Sequence, residues 1–183
     1  PELIELLNKR QKLFSERLEA LTTETSLSKL EQLAKDQDFA IRQGVASNIK
    51  TQSDVLVELS KDGNLQVRRA VASNKNTPVE ILRVLADDED FRVASAIAHN
   101  PSTPVDVLED LASYTYYRVR EVVAGNPNIN ALLIEKLSND EHQAVRQELA
   151  SNPSTSLNVL RKLAKDAESW VRATVAINPH TEV

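Results

Sequence analysis

The chain has no cysteine and no methionine, three glycines, and aromatic residues at only 4% of its 183 positions. Without cysteine there is no disulfide, no thiolate metal site and no cysteine nucleophile. Gly44, Gly63 and Gly125 are too scattered to build a glycine-rich phosphate loop. His99, His142 and His180 have no carboxylate or second histidine at ligand spacing, so neither a metal nor a cofactor is expected. No serine stands in a nucleophile elbow, and the catalytic classes fall behind. No apolar run reaches membrane-spanning length and no signal peptide is legible, so the expected compartment is the cytoplasm. A start at Pro1 with no methionine reads as a chain processed, or excerpted from a longer one. The formal net charge of −5 argues against wholesale wrapping of nucleic acid, while leaving room for a local basic face.

What the chain does have is a repeat. Val93 to Pro104 reads V-A-S-A-I-A-H-N-P-S-T-P, and its skeleton returns with asparagine at 48, 74, 100, 126, 152 and 178, always 26 residues apart. A fixed period of this length predicts an all-α solenoid, a superhelix of stacked short helix pairs. The repeats are assigned to 26–51, 52–77, 78–103, 104–129, 130–155 and 156–181. Residues 1–25 form a separate cap, a degenerate repeat or one long helix, with Ile4, Leu7, Phe14, Leu18 and Leu21 at helical spacing.

Each repeat has two halves. The first carries a leucine ridge, Leu33 through Leu163, with a second apolar position three residues earlier that is leucine except at Ile134. Thr77-Pro78-Val79-Glu80 reads as an N-cap, a proline at the first helical position and a capping box, and Thr103-Pro104 repeats the start. The second half is short, buries Ile41, Val67, Val93, Val119, Val145 and Val171, and carries an alanine at one phase from Ala46 to Ala176. Asn then closes it, read as a left-handed C-cap that also bonds neighbouring backbone. At the chain's end, Val171 and Val175 lack a successor repeat. Further repeats or end-to-end self-association are expected to cover them.

An Asp and an Arg six residues apart recur in four repeats: Asp36 with Arg42, Asp62 with Arg68, Asp140 with Arg146, Asp166 with Arg172. A pair spread along the whole array is structural. It breaks twice, in adjacent repeats, where Ala94 replaces the arginine and Tyr114 the aspartate. Losing one member of a buried ion pair is costly, whereas losing both together is cheap. The two losses fall on one pair only if each aspartate takes the arginine of the preceding repeat. The expected ladder is therefore Asp62–Arg42, Asp88–Arg68, Asp140–Arg120 and Asp166–Arg146.

The pattern L-A-x-D-x-x-x-x-V-R-x-x-V-A-x-N-P-x-T-P over residues 26–183 resembles the leucine-rich repeat variant family, itself similar to HEAT repeats. The resemblance implies a right-handed superhelix in which one helix of each pair is short or partly 3₁₀, and an interaction scaffold, not a reaction. Some members hold a cysteine-ligated iron–sulfur cluster; with no cysteine here that feature does not transfer.

Departures from the repeat mark the candidate site. Tyr114, Tyr116 and Tyr117 cluster, with Tyr117 in the phase of Phe39, Leu65 and Phe91 and so expected in the core. Arg92 and Arg118 share a phase with Trp170, and Arg69 lies one turn on from the same phase at Gln66. The second helices of repeats two to four thus offer a basic, aromatic face with Glu121 as its one acid. The candidate binding residues are Arg69, Arg92, Tyr114, Tyr116, Arg118 and Trp170. A protein or peptide partner is expected, acidic peptides foremost. Nucleic acid held by Arg and Tyr is the second reading, and a HEAT-like lyase the third.

Overall fold

The structure, a computed structural model, describes residues 2–22 and 25–181. The side chains of Leu3, Leu7, Leu18 and Leu21, and residues Glu182 and Val183, lie outside the described residues. Among those described, the chain is all helix. A single helix, α1 (Glu2–Leu21), precedes six helix pairs: α2 (Leu27–Leu33) with α3 (Phe39–Ser47), α4 (Ser53–Leu59) with α5 (Leu65–Ser73), and α6 (Val79–Ala86) with α7 (Phe91–His99). There follow α8 (Val105–Leu111) with α9 (Tyr117–Gly125), α10 (Ala131–Leu137) with α11 (Gln143–Ser151), and α12 (Leu157–Leu163) with α13 (Ser169–Ile177). Two compact units divide the chain, Pro1–Leu85 and Ala86–Val183.

Both units are built in the same way. Within each unit second helices pack side by side, α3 on α5 in the first and α7, α9, α11 and α13 in succession in the second. The first helices fill the space alongside, as α10 does between α9 and α11. Burial follows the repeat: Ile41, Val67, Val93, Val119, Val145 and Val171 are all 0% exposed, and the leucine ridge is buried with them. Each such side chain contributes about 1.5–3 kcal/mol, enough to hold helices of two turns that would not form alone. In the first unit α1 packs on α3 and α2, although Ile4 and Phe14, expected on its inner face, are exposed.

Several local expectations are corrected. Both helices of a pair are α, and the second, of nine residues, is the longer one. Thr103 is not an N-cap: Pro104 precedes the first turn of α8, and the Thr103 hydroxyl donates back to the Ile97 carbonyl at 2.6 Å. Thr77 and Thr155 do the same to Val71 and Leu149, so the threonine closes the helix behind it. The asparagines are extended, not left-handed; Asn126 has φ −71° and ψ 131°. Its Nδ2 donates at 2.7 Å to the Ala98 carbonyl of the preceding repeat, while its Oδ1 accepts from the Asn128 amide. Asn74, Asn152 and Asn178 repeat the bond to Ala46, Ala124 and Ala150. An alanine is fixed at that phase because the next repeat's amide must reach its carbonyl. Val171 and Val175 are not left uncovered, at 0% and 3% exposure, because α11 and α12 already enclose them. The large exposed apolar residues of α13 are Trp170 and Ile177.

Candidate functional site

The arginines divide by what holds them. Arg42 is bidentate to Asp62 (2.6 and 3.0 Å), Arg120 to Asp140 (2.7 and 2.9 Å) and Arg146 to Asp166 (2.7 and 2.9 Å). Each aspartate thus takes the arginine of the preceding repeat. The same guanidinium also donates to two loop carbonyls of its own repeat, as Arg120 does to Tyr114 and Thr115. Burial pushes the Asp62 and Asp140 carboxyls up, yet the arginine and a backbone amide more than offset it and hold both below the usual carboxylate range. Arg68 and Asp88, the fourth pair of the expected ladder, fall in different units. At the break, Ala94 is fully buried and Tyr114 half-buried.

Arg120 is therefore sunk in the ladder, and Tyr114 stands beside it in the aspartate's place. Arg120 is buried and Tyr114 half-buried. Arg69 belongs to the first unit, where it lines a shallow depression with Gln43, Ser47, Gln66 and Ser73. Of the six candidate residues, the second unit brings together Arg92, Tyr116 and Arg118, with Trp170 two helices further along the same row.

Around those three the site is aromatic. Phe91 meets Tyr116 edge-on at 4.7 Å, Tyr116 meets Tyr117 at 5.5 Å, and Tyr117 stacks flat on His142 at 3.5 Å. These side chains start second helices or cap them, so each ring reaches across to the next repeat. Tyr117 is half-buried, and Phe39 and Phe91 in its phase are 42% and 39% exposed. The expectation of a core position fails because the first residue of a helix points along the stack rather than into it. Arg118 lies over the Tyr117 ring at 5.5 Å; that ring, then a hydrogen bond to Tyr116, raise its already high pKa. Arg92 is held by Asp90, the N-cap of its own helix, at 2.6 and 2.8 Å.

Below this aromatic edge a groove of about 430 Å³ runs between α7, α9 and α11. Phe91, Ser95 and His99 form one wall, Arg118, Glu121, Val122 and Gly125 the floor, and Glu148 the other wall. Burial lifts the Glu148 carboxyl above the usual range, and the charge of Glu121 adds to it. The face is thus not simply basic: its open cation is stacked on a ring, and two carboxylates share the groove. Sequence reasoning missed Glu148. The signal was there, since its phase otherwise reads Gly44, Ala70, Ala96, Val122 and Thr174.

Among the described residues no group of histidine, aspartate and glutamate is placed to hold a metal ion. Compared with known proteins, residues 65–90 match the model of the leucine rich repeat variant family, and the likeness read from the repeats stands at that repeat. A solved structure described as a leucine-rich repeat variant with a novel repetitive protein structural motif is similar over 83% of this chain and 71% of its own, at 22% identity and a TM-score of 0.39. No curated protein matches.

Proposed function

We propose that this chain is a non-catalytic scaffold that binds a protein partner on the second-helix face of its second unit. One observation carries the reading: large apolar and aromatic side chains stand exposed along one row of helices. Phe91, Tyr116, Trp170 and Ile177 are 39%, 36%, 69% and 82% exposed. Trp170 and Ile177 are seven residues apart on one face of α13, in the phases of Arg118 and Gly125 on α9. Exposed apolar residues scattered singly need no explanation, but a row beside a groove is what a docking surface is made of. The occupant is a peptide segment or helix. No described helix is long and apolar enough to cross a membrane, and the reading assigns the cytoplasm.

Nucleic acid fits less well, because Arg92 is held by Asp90 and the groove carries two acids. Display selection of random peptides against the wild-type chain and a Tyr116→Ala/Trp170→Ala/Ile177→Ser variant tests the proposal. Peptides enriched by the wild type should bind the triple variant at least tenfold more weakly, with helix content and melting unchanged. Equal binding to both, or tighter binding of single-stranded oligonucleotides that collapses with added salt, would overturn it.

A further inference from the structure

The groove of the second unit contains two carboxylates that the fold does not use. Glu121 on α9 and Glu148 on α11 both line it. Neither side chain accepts a hydrogen bond or an ion pair from a described residue. Nearby in the chain, Asp140 and Asp166 are each clamped by an arginine. Burial first, and then the charge of Glu121, hold the Glu148 carboxyl above its usual range, so the repulsion between the two groove acids adds to the cost of burying one of them.

Of the remaining charges facing the groove, Arg118 acts on Glu121 through space but forms an ion pair with neither acid. Arg118 is drawn over the Tyr117 ring and to Tyr116, at the aromatic edge. His99 lines the far wall, at the end of α7. Gly125 has a part in this: a Cβ there would lie 2.6 Å from Glu148 Oε1, so the missing side chain lets that carboxylate lie across the end of α9. The rest of the lining, Phe91, Val122 and Ser95, is apolar or small.

We infer that this groove receives the side chain of one lysine or arginine from the partner segment, seated between Glu121 and Glu148, with apolar residues of the segment resting on Phe91 and Tyr117 to one side and on Trp170 and Ile177 to the other. The inference rests on the scaffold reading and names the chemistry of its partner. Charge complementarity selects the occupant: a single cation relieves the repulsion of two acids at once. The methylene stem of a lysine or arginine suits the apolar walls while its head reaches the carboxylates. Packed helices stand about 8–10 Å apart. The groove and the Trp170 face are thus on the order of 10–15 Å apart, spanned by three or four residues of extended chain. The recognised pattern is apolar, then basic, then apolar, at that spacing. A basic partner stands here in place of the acidic one expected from arginine content, because Arg92 is held by Asp90 and Arg118 is drawn to the tyrosine rings, whereas Glu121 and Glu148 form no ion pair.

The test uses fluorescein-labelled eight-residue peptides with leucines three residues either side of a central lysine, glutamine or glutamate. Binding is read by anisotropy and by quenching of Trp170, the only tryptophan in the chain. The wild type should bind the lysine peptide at least tenfold more tightly than the glutamine one. In E121Q/E148Q that advantage should fall below twofold, with the glutamine peptide bound as before and melting no lower. Gly125→Ala, which displaces Glu148, should weaken the lysine peptide selectively, whereas Trp170→Ala should weaken lysine and glutamine peptides alike. A lysine advantage that survives in E121Q/E148Q overturns the inference, as does a wild-type preference for glutamate. Peptides that quench Trp170 without regard to charge sink the cation slot and leave the scaffold standing. If no peptide binds at all, the slot falls, and the scaffold reading is then judged by its own display selection.

Discussion

Two sets of carboxylates in the second unit differ in one respect. Asp140 and Asp166 stand at a phase that repeats along the chain, and each meets an arginine at 2.7 Å. Glu121 and Glu148 stand at phases that do not repeat, and neither forms an ion pair, although Arg118 acts on Glu121 through space. The first set is held below the usual carboxylate range, and Glu148 of the second is held above it. A charge that recurs every repeat has been given a partner by the stack. Glu121 and Glu148 have been given none, which leaves them available to a partner from outside. In a repeat protein, therefore, recurrence separates the residues that hold the array together from those free to bind.

The largest expected effect attacks the recurring set. Arg120 and Asp140 have side chains 9% and 8% exposed, so Asp140→Ala strands a buried guanidinium and should cost about 3–5 kcal/mol in urea unfolding. Glu121→Gln, in the other set, should leave the midpoint almost unmoved. Next comes the break in the ladder. Ala94→Arg places a charge where the native side chain is 0% exposed and should cost about 3 kcal/mol. Adding Tyr114→Asp should return part of that loss, because the pair would be whole again. A double-mutant cycle with no coupling would show that the two sites were never linked.

What the chain discloses by reading alone follows the same division. Columns are legible: the buried valines, the leucine ridge and the alanine all stand where the period puts them, because burial acts on every repeat alike. The pairing of aspartate with the preceding arginine was legible only through its one defect. Direction along the stack was not. Phe91 and Tyr117 read as core because they share an apolar column, but that column begins a helix and looks toward the neighbouring repeat. Glu148 went unnoticed because charge was counted over repeats two to four, and its wall of the groove belongs to the fifth.

A smaller effect concerns the asparagines. Asn126→Ala leaves the buried Ala98 carbonyl without its 2.7 Å donor and should cost about 1–3 kcal/mol, seen as a lower melting temperature.

The smallest effect separates the two sets by pH. Asp62, Asp140 and Asp166 have folded-state pKa values below their unfolded ones, so their stabilisation is whole above about pH 4 and is lost as pH falls further. Glu148 runs the other way. Its folded-state pKa is raised, so its contribution is whole below about pH 4 and is lost as pH climbs through the raised value. Glu148→Gln should then stabilise by about 0.5 kcal/mol or less at pH 7 and by nothing at pH 4. A gain of the same size at both values would mean that burial of the ionised carboxylate and repulsion from Glu121 are not its source.

The asparagine amide has a consequence for how such a chain can change its length. In Asn74, Asn126, Asn152 and Asn178 the Nδ2 donates to the carbonyls 28 and 26 residues back while the Oδ1 accepts from the backbone amide two residues on, as in Asn152 with Ala124, Asn126 and Ser154. One residue added anywhere between those points moves the whole downstream stack out of frame with the carbonyl it must meet. A block of 26 residues added at the same place leaves every reach intact. Length in this protein is therefore quantised: excision or duplication of a full period, such as residues 130–155, is the smallest edit that the stitching ignores, and loops within a period have no such freedom.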